Sequence, residues 1–96
     1  MLVLITYDVS TETPDGQKRL RQVARACQDR GQRVQKSVFE CHIDSAQFVE
    51  LRHRLESIID PAHDSLRYYF LGNNWQRRVE HVGATQSYDP QAPLII

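Results

Sequence analysis

The 96 residues contain no apolar run approaching the roughly 18 that a membrane span needs. The N-terminus has no basic stretch, and its opening apolar run is too short for a secretory signal. A soluble, cytoplasmic protein is expected, with no membrane partner. Cysteine is scarce: Cys27 and Cys41 stand too far apart for a C-x-x-C pair and read as reduced core residues. Four scattered histidines (His42, His53, His63 and His81) do not combine with them into zinc-ligand spacing. None of the four has a carboxylate or serine at a spacing that suggests pairing, so they read as surface or structural residues. Net charge is also absent, with 12 basic and 12 acidic residues, which excludes a generic polycation.

The bases that are present are unevenly placed. Seven fall between positions 17 and 36: Lys18, Arg19, Arg21, Arg25, Arg30, Arg33 and Lys36. Asp29 is the single acid in that stretch, leaving it at +6. Ten of the 12 bases are arginine, whose planar fork binds two phosphate oxygens at once. A charge run is usually a solvated helix face. Here the bases cluster without acid partners in sequence, which favours phosphate contact for Arg19, Arg21 and Arg33, with Lys18, Arg25 and Lys36 extending the patch. Arg77 and Arg78 are either further contacts or solvating charges.

The chain opens with "MLVLITYDVS", a short apolar strand that ends in Tyr7-Asp8. "STETPDG" is a loop in which Thr13 or Asp15 can cap a helix with Pro14 in its first turn. That helix is expected to run to about Arg30 and end at Gly31, with Leu20, Val23, Ala24 and Cys27 on its buried stripe. Lys18, Arg21 and Arg25 flank the stripe on one side, Arg19 and Arg30 on the other. "QRVQKSVFECHI" is strand-like but changes phase, so a bulge or tight turn is expected near Lys36-Ser37. Asp44 and Gln47 form a capping box for a second helix reaching about Ile59 and turning Phe48, Leu51, Leu55, Ile58 and Ile59 inward. "SLRYYFL" is another strand, and "WQRRVEHVGA" is a candidate for one more.

The order β-α-β-β-α-β, followed by a C-terminal extension, predicts an α+β, ferredoxin-like sandwich with the first strand central. The sheet face without helices calls for a cover, and a homodimer is the simplest one. A ferredoxin-like domain over residues 1–83, with 84–96 as an extension of the same domain, is the expected organisation.

"YDVS" after an apolar strand, "GQRVQKSVFEC" after the first helix and "DSLRYYFL" later together resemble the CRISPR-associated protein two family. The ending "NWQRRVEHVG…PLII" looks like the branch found with type I-C systems. The long first loop, "STETPDGQ", departs from the pattern and sets the helix arginines further from Asp8. The resemblance implies a ferredoxin-like homodimer in which the segment after Trp75 adds a strand to the other protomer. It implies a shared Mg²⁺ or Mn²⁺ held by Asp8 from both chains, and metal-dependent cleavage of RNA or DNA. It also implies a dimer that bridges the CRISPR integrase subunits during spacer acquisition. Tyr7, Arg19, Arg21, Arg33 and Phe39 match positions that the family uses near its site.

Taken on its own, Asp8 at a strand end is more often a turn residue than a catalyst. Its carboxylate oxygens nevertheless suit a hard cation, and two of them across a dyad make an adequate site where one does not. Tyr7 is expected to pack with its hydroxyl at the rim. Ser10 is expected in the turn, within reach of a metal-bound water or a phosphate. Phe39 is expected in the core or the dimer interface, and Glu40 on the strand without an assigned role. Two other readings stand beside the nuclease. One is a non-catalytic scaffold that holds duplex DNA for the integrase; the other is a ferredoxin-like regulatory module for a small molecule.

Overall fold

The computed structural model describes residues 1–72. The candidate strand after Trp75, the extension, Arg77, Arg78, His81 and both domain boundaries lie outside the described residues. Six elements follow one another: β1 (Leu2–Asp8), α1 (Pro14–Gln28), β2 (Gln32–Gln35), β3 (Val38–His42), α2 (Ser45–Ile58) and β4 (Ser65–Gly72). No helix among the described residues is long and apolar enough to cross a membrane.

The strands form one antiparallel sheet in the order β2-β3-β1-β4. This is the ferredoxin-like arrangement expected from the order of elements, with β1 inside the sheet. Side chains alternate across a strand, so each face can be read from the register. Val3, Ile5 and Tyr7 of β1 join Phe39 and Cys41 of β3 against α1 and α2 in one buried cluster. Thr6 and Asp8 face the other way, in rows with Val38, Arg67 and Ser65.

Local chemistry explains the boundaries. Thr13 caps α1, its hydroxyl accepting from Gly16 N–H at 3.1 Å, and Pro14 opens the helix where its missing N–H costs nothing. The helix ends at Gln28, short of the expected Arg30. Asp29 N–H returns to the Arg25 carbonyl and Arg30 N–H to that of Cys27. Gly31 is therefore not the residue that stops the helix. It is glycine because a Cβ there would strike Cys41 Sγ and the Glu40 carbonyl. Val23 and Cys27 lie on the buried face as expected, joined by Ala26, whereas Leu20 and Ala24 are only partly covered.

The change of phase near Lys36-Ser37 is a two-residue turn joining β2 to β3, with Gln35 opposite Val38 and a register shift between Arg33 and Gln35. The capping box of α2 is complete: Asp44 Oδ1 accepts from Gln47 N–H at 2.7 Å and Gln47 Oε1 from Asp44 N–H at 3.0 Å. Phe48, Leu51 and Leu55 are buried, and Ile58 and Ile59 pack at the margin. Cys27 and Cys41 are buried free thiols, and burial pushes each up to about 12.

Candidate active site

β1 delivers two adjacent residues to opposite sides of the sheet. Tyr7 is buried on the helix side, where its ring stacks on Phe39 with centroids 6.2 Å apart. Burial raises its phenol above the ordinary range, and the nearby Arg33 guanidinium opposes that shift. Asp8 ends the strand opposite Ser65, exposed on the face that α1 and α2 do not cover. Its carboxylate has no hydrogen-bond or ion-pair partner among the described residues. An unshared, accessible carboxylate is a suitable donor for Mg²⁺ or Mn²⁺. One chain alone does not build a closed site: the described residues hold no group of three or more His, Cys, Asp or Glu placed to share an ion.

The basic residues divide into two groups. Arg21 from α1, Arg33 from β2, and Lys36 and Ser37 from the β2–β3 turn surround a pocket of about 240 Å³ with Tyr7, Leu20 and Ala24. Arg33 lies over the Phe39 ring, 5.1 Å from its centroid, which restrains its guanidinium. Three cations around an apolar floor form a surface that a phosphate diester can approach, with sugar or base against the floor. Tyr7, Arg21, Arg33, Lys36 and Phe39 are thus brought together at the Asp8 end of the sheet, but on the helix side.

Arg19, Arg25 and Lys18 are not part of that pocket. Lys18 is exposed on α1. Arg25 reaches Asp29 at 3.7 Å. Arg19 corrects the expectation of a base without an acid partner. Its Nε donates to Asp64 Oδ2 at 2.8 Å and its Nη2 to Asp64 Oδ1 at 3.4 Å, leaving the side chain 18 % exposed. Sequence spacing hides this pair because 45 residues separate its members. The one signal of Asp64 in the sequence is an acid immediately before the strand "SLRYYFL".

Ser10 lies in a second cleft, of about 260 Å³, with Glu12, Thr13, Asp15, Arg19, Asp60 and His63. Its amide donates to Asp64 Oδ1 at 3.1 Å. His63 also departs from expectation, because Nδ1 sits 2.8 Å from Asp60 Oδ2. Three acids line this cleft against one already paired arginine, so it repels phosphate where the first pocket attracts it.

Residues 1–79 match the family model described as CRISPR associated protein Cas2. The chain belongs to the Cas2 family. A Nitratidesulfovibrio vulgaris protein named CRISPR-associated endoribonuclease Cas2 is 62 % identical over 96 residues, covering 100 % of this chain and 94 % of the relative. A Halalkalibacterium halodurans protein named CRISPR-associated endonuclease Cas2 is 60 % identical over 95 residues, covering 99 % of each. Among solved structures, Streptococcus pyogenes Cas2 at pH 6.5 superposes with a TM-score of 0.75 at 64 % identity, covering 86 % of this chain and 100 % of that one. The matched family region contains Asp8, the first pocket and the Arg19–Asp64 pair within one Cas2 fold.

Proposed function

We propose that this Cas2 protein is a metal-dependent endonuclease of CRISPR adaptation, working as a homodimer with Asp8 from each chain at its centre. The observation that carries the reading is Asp8 itself: exposed, without a partner among the described residues, and presented by an inner strand on the face without helices. Two copies joined through that face bring two such carboxylates to one dyad. Mg²⁺ or Mn²⁺ held there would activate a water and offset charge on the phosphoryl oxygens. The chain's own residues bind and orient the nucleic acid. Arg21, Arg33 and Lys36 hold the phosphate backbone, and Tyr7, stacked on the buried Phe39, forms part of the first pocket's wall. This set contacts phosphate without a base-reading element, so preference follows strand form and not sequence.

A second reading is favoured by the two-sided layout. The cationic pocket and Asp8 lie on opposite faces, so duplex DNA held by the pocket need not be cut by Asp8. In that reading the dimer is a spacer that bridges CRISPR integrase subunits, which carry out the chemistry.

The deciding assay incubates single-stranded RNA and duplex DNA with the protein and Mg²⁺, Mn²⁺ or EDTA, comparing wild type with Asp8→Asn. The nuclease reading requires cleavage that needs the divalent ion and is lost in Asp8→Asn. Binding of duplex DNA by both proteins, with cleavage by neither, would support the scaffold instead.

A further inference from the structure

Arg19 and Asp64 form the best-connected polar group among the described residues, and neither belongs to the cationic pocket. The Asp64 side chain has 0 % exposure. Its two oxygens accept four bonds: Ser10 N–H at 3.1 Å and Arg19 Nη2 at 3.4 Å on Oδ1, and Arg19 Nε at 2.8 Å and Asp60 N–H at 2.9 Å on Oδ2. One carboxylate thereby joins the β1–α1 loop, helix α1 and the α2–β4 loop.

Two points of this network border Asp8. Ser10 is two residues beyond it, and Ser65, the residue after Asp64, is its partner in the ladder. β1 pairs with β3 only as far as Thr6 but with β4 as far as Asp8, so the ladder holds Asp8 on one side only. Past the ladder, Asp64 holds the Ser10 amide. The Ser10 carbonyl is packed against α1 at Gly16, where a Cβ would strike it. Ser10, two residues beyond Asp8, is therefore tied through its N–H to Asp64 and packed through its C=O against α1.

We propose that Asp64, clamped by Arg19, is the positioning residue for Asp8, fixing the end of β1 so that its carboxylate can meet an ion. The inference rests on the Asp8 metal site proposed above. Carboxylate–Mg²⁺ distances near 2.1 Å tolerate little displacement. Groups that orient a metal ligand typically contribute about 10- to 100-fold in affinity or activity. Arg19 acts here through Asp64 and not as a phosphate contact.

A stabilising ion pair and a positioning pair differ in what they change in protein that remains folded. The full-length protein is compared as wild type, Asp8→Asn, Asp64→Asn, Arg19→Gln, Arg19→Lys and Arg21→Gln. Mn²⁺ affinity is measured by calorimetry, kcat and KM on the cleaved nucleic acid, and folding by circular dichroism. Asp64→Asn and Arg19→Gln should lose about tenfold or more in both Mn²⁺ affinity and kcat, with KM within about twofold. Arg21→Gln should raise KM and leave Mn²⁺ affinity alone. If Asp64→Asn does not fold, Arg19→Lys keeps the charge but gives up the Nε donor, and the same split is read there. Wild-type Mn²⁺ affinity and kcat in a folded Asp64→Asn or Arg19→Lys protein would overturn the proposal. So would Arg19→Gln that raises KM with kcat intact. Mn²⁺ binding that is equal in wild type and Asp8→Asn would instead remove the Asp8 site, and the positioning role with it.

Discussion

Glu40 offers the sharpest prediction about stability. It lies in β3 between Leu4 of β1 and Gln32 of β2, on the face away from the helices, and is 2 % exposed. Among the described residues, neither carboxylate oxygen has a hydrogen-bond donor. Burial alone pushes its carboxyl from 4.5 up to about 7. Below the lower value the group is neutral in folded and unfolded chains alike, and the folded state carries no penalty. As pH rises toward about 7, the unfolded chain ionises first and stability is lost; above 7 both forms are ionised and the loss levels off. At 1.36 kcal/mol per pH unit, the gap amounts to about 3 kcal/mol. That is a large share of the roughly 5–15 kcal/mol that holds a typical domain together. Glu40→Gln removes the titration while keeping the shape. Its buried amide adds a cost that does not vary with pH, so only the slope is diagnostic. Urea unfolding at fixed protein concentration, from pH 4.5 to 9, should show wild type losing about 3 kcal/mol relative to Glu40→Gln, mostly between pH 4.5 and 7. Parallel stability curves would refute the reasoning.

Other substitutions test the frame around the site. Gly31→Ala places a methyl group against Cys41 Sγ and the Glu40 carbonyl, and should cost about 1–3 kcal/mol in denaturant unfolding. Asp44→Ala removes the acceptor half of the α2 capping box and should cost about 1 kcal/mol by the same measurement. Asp64 is held down to about 2, chiefly by its hydrogen bond from Arg19. Its contribution is therefore present above the ordinary value of 3.8 and is lost as pH falls through about 2. Acid titration followed by circular dichroism should show Asp64→Asn with a shallower stability loss than wild type over that window.

The elements were legible where local chemistry decided them. The Asp44–Gln47 box, the Thr13–Pro14 start and the apolar run of β1 each carry their signal within a few residues. The turn at Lys36-Ser37 is real, but the change of phase does not require it, because Val38 and Phe39 occupy opposite faces of β3. The end of α1 is not legible from Gly31, because that glycine serves a contact with β3 and does not stop the helix. The site was legible in part. Tyr7, Arg21, Arg33 and Lys36 converge around one pocket, with Phe39 packed against Tyr7 and under Arg33, while Lys18, Arg19 and Arg25 do not line it. Charge clustering along a helix cannot distinguish a free arginine from one whose partner is distant in sequence, and Arg19 has Asp64. Nor does sequence order show that Asp8 and the cationic pocket lie on opposite faces, because that depends on strand register.

The central claim is that two Asp8 carboxylates, one from each chain, share one divalent ion. Calorimetric titration of the purified protein with Mn²⁺, combined with its mass by light scattering, tests this directly. The expected result is a dimer that binds one ion per two chains, with that binding abolished in an Asp8→Asn protein that remains dimeric. A stoichiometry of one ion per chain, or binding that survives Asp8→Asn, would contradict it.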